Sequence, residues 1–135
     1  MGLFSSSKNL PARSSMLRAW NLSTQTLADT QKIMKTVRAS LETKQIVNIR
    51  RVMLDLTASV GLAMKDGVPE KEALQKIEHS KDLIKKLGKI LERLLQVEKI
   101  DKSRLGVVIE RLNEIKNLLE NKRYEPKRKN ILMDE

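Results

Sequence analysis

Cysteine is absent from this 135-residue chain, and histidine occurs once, at His79. The first absence excludes a disulfide scaffold, a thiolate zinc site and a cysteine nucleophile, while leaving the compartment open. The second leaves His79 with no partner histidine or cysteine to share a metal, so a surface histidine is the plain reading. Aromatic residues are limited to Phe4, Trp20 and Tyr124, too few for a platform on which single-stranded bases could stack. There is no run of about 18 apolar residues, hence no transmembrane span is expected, and the opening residues lack a signal-peptide apolar core. Glycine-rich phosphate loops, HExxH, GxSxG and Walker patterns are missing as well. No catalytic, cofactor-binding or metal-ligating residue is assigned, and a non-enzymatic protein is expected.

What is abundant is positive charge. Lys and Arg number 27 against 17 Asp and Glu, a formal +10 at pH 7. Half of that surplus falls in the first 40 residues, where six basic residues meet Asp29 alone. A cationic region of this kind draws polyanions, either nucleic acid or the anionic face of a membrane. Duplex backbone binding needs only Lys and Arg, so the shortage of aromatics does not exclude it.

Apolar residues make up 40% of the chain and fall at helical spacing, which separates it from a disordered polycation. Leu27, Met34, Val37 and Leu41 form one stripe. Ile46, Ile49, Met53, Leu56 and Val60 form a second, with a change of phase around residues 42–45. No Gly or Pro marks that change, so one continuous or slightly kinked helix over about 16–65 is expected. Asp66, Gly67, Val68 and Pro69 then supply a stop, since Gly caps helix ends and Pro opens the next first turn. Ile77, Ile84, Leu87, Leu91 and Leu94 define a helix over about 69–98, widened by Leu83, Ile90 and Val97. Glu72 with Lys76 and Asp82 with Lys86 are favourably ordered i,i+4 pairs, each contributing about 0.2–0.5 kcal/mol. After a polar turn where Asp101 or Ser103 can cap, Leu105, Val108, Leu112, Ile115 and Leu119 give the cleanest stripe, over about 102–121. No strand-like alternation occurs. The fold expected is all-α, long helices forming antiparallel hairpins or a four-helix bundle. It spans 16–122, between a basic and apolar arm (1–15) and a basic tail (123–135).

Three sets of residues stand out as candidate sites. At the front, Met1, Gly2, Leu3, Phe4, Ser5 and Ser6 satisfy the M-G-x-x-x-[ST] myristoylation pattern. Lys8, Arg13 and Arg18 could supply the basic second signal that a single acyl chain needs. With Trp20, the residues Gly2, Leu3, Phe4, Lys8, Arg13 and Arg18 form a candidate membrane-binding set. The same Ser-rich, basic stretch also reads as an organelle transit segment, or as an arm whose Trp20 packs on the bundle. On the helix expected over 69–98, Lys81, Lys85, Lys89 and Arg93 sit four apart as a basic ridge, either a solvated face or a polyanion-binding one. Lys127, Arg128 and Lys129 read as part of a solvated, disordered tail, or as a cluster that contacts phosphate or directs nuclear import. Ile131, Leu132 and Met133 are an apolar triplet suited to docking on a partner or on the bundle.

Met1, Gly2, Leu3 and Phe4, a basic stretch with Pro11, and Trp20 opening a basic helical region resemble the N-terminus of ESCRT-III subunits. Arg111, Leu112, Asn113, Glu114, Ile115 and Lys116 are similar to the R-L-x-x-L-K core through which that family engages the MIT domains of its disassembly ATPase. The resemblance implies an N-terminal segment that inserts into membrane and a helical hairpin that polymerises, with Leu112 and Ile115 as partner-binding residues. Those two also belong to the cleanest apolar stripe, so core and ligand roles both remain open here. The expectation that follows is a cytoplasmic, peripheral-membrane scaffold that self-associates. The alternatives are a nuclear or virion nucleic-acid packaging protein and an adaptor receiving a partner helix.

Overall fold

The computed structural model describes residues 10–37 and 41–120. Within them are four helices and no strand: α1 (Arg13–Thr36), α2 (Thr43–Ala63), α3 (Glu70–Leu94) and α4 (Lys102–Leu119). Helix α1 starts at Arg13, three residues ahead of the expected boundary, so its first residues fall within the span expected for the arm.

The single helix expected over 16–65 is two helices, a correction with a local cause. Glu42 and Gln45 form a reciprocal capping box, in which each side chain takes up the other's free backbone N–H. The Glu42 N–H donates to Gln45 Oε1 at 3.0 Å. Satisfying orphan donors in this way starts a new helix without glycine or proline. It also resolves the change of phase, because each of the two apolar stripes now belongs to its own helix.

The other boundaries follow the chain's punctuation. Gly67 takes φ +87°, the left-handed conformation that a side chain disfavours. Pro69 stands at the N-cap of α3 rather than inside its first turn, with Glu70 and Glu72 in that turn, favourably placed for the helix dipole. Helix α3 ends at Leu94, before the expected 98, and Ile100 is buried in the turn that follows. Asp101 caps α4 by accepting from the Arg104 N–H at 3.1 Å.

The helices form an antiparallel ring in which α1 packs on α2 and α4, and α3 packs on α2 and α4. Arg13 meets Asp66 and Arg18 meets Glu114, placing the start of α1 beside the ends of α2 and α4. The core runs along the ring axis through Ile33, Ile49, Leu56, Leu87, Leu91, Leu105 and Ile115, all nearly inaccessible. Each such side chain contributes about 1.5–3 kcal/mol by leaving water. Packing is closest between α1 and α4 and between α2 and α3, while the α3–α4 hairpin, adjacent in sequence, is looser. Ser59 of α2 donates to the Lys76 carbonyl of α3 at 2.9 Å, and Ser80 shares that acceptor, so these buried hydroxyls are satisfied.

Candidate functional site

Antiparallel folding sorts the charge along the bundle axis. One half contains residues 29–37, 41–52 and 83–111: the end of α1, the start of α2, the end of α3 and most of α4. It carries thirteen Lys and Arg against six Asp and Glu, a formal +7. The other half, residues 10–28, 53–82 and 112–120, carries seven against eight, a formal −1. The positive surplus of the described residues therefore lies at one end of the molecule. Lys32 and Lys35 reach this end from α1, Lys44, Arg50 and Arg51 from α2, and Lys85, Lys89 and Arg93 from α3, all exposed.

Cations of the basic ridge differ from one another. Lys81, only partly exposed, is held by Glu78 at 2.7 Å on its own helix. Lys85, Lys89 and Arg93 have no carboxylate within 4 Å among the described residues and are open to an anion. In the same half, Arg104 is tied to Asp101 and Arg111 to Asp29. Those two cations are committed to the fold. The Asp29–Arg111 contact is the less exposed of the cross-helix pairs, at 41% and 27%.

The front set is divided by the structure. Gly2, Leu3, Phe4 and Lys8 lie outside the described residues, as do Lys127, Arg128, Lys129, Ile131, Leu132 and Met133. Arg13 and Arg18 sit on α1 in the half without positive surplus, each facing a carboxylate: Asp66 at 3.3 Å and Glu114 at 2.7 Å. Trp20 is 36% exposed and lies over Gly61 of α2, whose missing side chain makes room. A Cβ there would stand 3.2 Å from the indole nitrogen. Leu17, Leu54 and Leu62 are exposed on α1 and α2 in this half. Val47 and Val107 are exposed in the basic half, so exposed apolar side chains occur at both ends of the bundle.

Leu112 and Ile115 correct the expectation drawn from the R-L-x-x-L-K resemblance. They are 2% and 0% exposed, filling the core from α4, and present no surface to a partner.

Sequence reading missed the contribution of α2. Lys44, Arg50 and Arg51 drew no attention because they are scattered between apolar residues on one helix. They become part of a surface only beside Lys32, Lys35 and the α3 ridge. The signal available was the clustering of basic residues on both sides of two helix junctions, around residues 37–42 and 95–101.

Among the described residues no group of three His, Cys, Asp or Glu could hold a metal ion, and no helix is long and apolar enough to cross a membrane. No known protein family, curated protein or solved structure matches the chain.

Proposed function

We propose that the protein is a non-enzymatic helical module that binds duplex nucleic acid through phosphate contacts of its basic half. The observation that carries this reading is the sorting of charge, +7 against −1, between the two ends of one bundle. Lys85, Lys89 and Arg93 supply cations without a carboxylate partner among the described residues, at four-residue spacing on one helix, with Arg50 and Arg51 on the adjacent α2 and Lys32 and Lys35 on α1. The described basic half holds no aromatic side chain, so it suits backbone contact rather than base stacking. Binding of this type is independent of sequence and releases counterions.

The test is titration of a random-sequence duplex with the full chain at two salt concentrations. Affinity is expected to fall by about 10³-fold or more between roughly 50 and 200 mM salt. The triple variant Lys85→Ala, Lys89→Ala, Arg93→Ala should flatten the slope of log K against log salt by about 2–3. The matched triple Lys71→Ala, Lys76→Ala, Lys116→Ala, from the other half, should leave the slope unchanged. Equal effects of the two triples, or no binding at the lower salt, would sink the proposal.

A second reading, a self-associating peripheral-membrane scaffold, draws on the exposed Leu17, Trp20, Leu54 and Leu62. It predicts that the chain sediments with anionic vesicles and that changing Phe4 and Trp20 together to Ser abolishes this while helicity stays. Retention of binding by that double variant would remove the insertion mechanism.

A further inference from the structure

The α1–α2 seam opens into a groove with a volume of about 240 Å³. Leu27, Met34, Ile46, Ile49 and Met53 make its apolar walls and floor, and Lys35 and Arg50 stand on its rim. Neither cation has a carboxylate within 4 Å among the described residues. Thr30 also lines the groove and is 2% exposed; its Oγ, like that of Thr26 one turn earlier, has no hydrogen-bond partner among the described residues. A threonine inside a helix ordinarily donates to the carbonyl one turn back.

These features together describe one ligand chemistry. An apolar cavity of about 150 Å³ takes a benzene-sized molecule. By that scale this groove accepts an apolar chain of roughly eight to ten carbons. The two rim cations call for an anionic head. We propose that the α1–α2 groove binds a small anionic amphiphile of the alkyl-carboxylate class, chain inward and head between Lys35 and Arg50. The inference goes beyond nucleic-acid binding and does not rest on it.

The experiment uses the full chain with methyl-labelled methionine, titrated with decanoate and, separately, decanol, below the concentrations at which they aggregate. Met34 and Met53 line the groove, whereas Met16 and Met64 lie near the start of α1 and the end of α2. Decanoate is expected to shift Met34 and Met53 saturably while Met16 and Met64 stay in place. Decanol should bind about ten-fold or more weakly, the difference a contact to a charged group makes. Changing the exposed Lys35 and Arg50 to Ala leaves the core intact and should remove that preference. An absence of saturable shifts, or equal affinity for the two compounds, would overturn the proposal. So would a variant lacking residues 131–135 whose ligand-free Met34 and Met53 signals already match the decanoate-bound ones. That outcome would assign the groove to the chain's own Ile131, Leu132 and Met133, with Asp134 and Glu135 meeting the rim.

Discussion

Helix α1 meets its two neighbours on different terms. Toward α4 it sets Arg18 against Glu114 and Asp29 against Arg111, above a seam closed by Ile33 and the buried face of α4. Toward α2, the helix that follows it in the chain, it leaves a groove, a threonine hydroxyl without a partner among the described residues and an indole about a third exposed. Nearness in sequence therefore does not rank the interfaces. What ranks them is complementarity: α4 offers an unbroken apolar stripe flanked by charges of the right sign. On the other side, α2 offers Gly61 and a face that turns Leu54 and Leu62 outward.

The contrast can be broken most directly in the core. Leu105→Ala or Ile115→Ala on α4 should cost about 2–5 kcal/mol, because both side chains are fully enclosed and the site cannot collapse around the loss. Leu27→Ala, on the half-exposed wall of the α1–α2 groove, should cost about 1 kcal/mol. Urea midpoints of the three variants measure the difference, and equal losses would show the seams to be equivalent. Next in size are the charges. Arg111→Ala leaves the partly buried Asp29 without its cation and should destabilise by about 1–3 kcal/mol. Arg18→Ala removes a more exposed contact and should stay below about 1 kcal/mol.

Smaller effects have the opposite sign. Thr30→Val replaces an unpartnered hydroxyl with a methyl of similar shape and should stabilise the ligand-free chain by roughly 1 kcal/mol. A loss of stability there would mean that the hydroxyl has a partner in solution. Gly88→Ala on α3 meets open space at its Cβ and should add about 0.5–1 kcal/mol from helix propensity, read as a higher melting temperature. Gly61→Ala gains the same propensity but crowds Trp20, so its net change should be near zero. Its signature is instead a red shift of Trp20 fluorescence as the indole moves into water.

Local features of the fold were legible because they depend on residues within a few positions of one another. The stripes of α3 and α4, the left-handed turn at Gly67 and the Asp101 cap all follow from spacing and side-chain chemistry. The break between α1 and α2 was half legible. The change of phase marked the place, but Glu42 is an uncommon N-cap residue, and its pairing with Gln45 depends on geometry that no propensity signals. The candidate site was less legible still. Lys85, Lys89 and Arg93 could be read from their spacing on one helix, whereas Arg50 and Arg51 join them only once the ring has closed. Arg13 and Arg18 read as free cations in the sequence, because Asp66 and Glu114 lie 53 and 96 residues away.

By itself the sequence determined the amphipathic stripes, where two of the three helix junctions fall and a core built from aliphatic residues, since backbone capping and helical periodicity act over a turn or two. The tertiary structure alone decided that α1 binds α4 more closely than α2, that positive charge gathers at one end, and that Lys35, Arg50 and Thr30 share one groove. Those outcomes arise from side chains brought together across the ring, where electrostatics and packing depend on distance in space and not on distance along the chain.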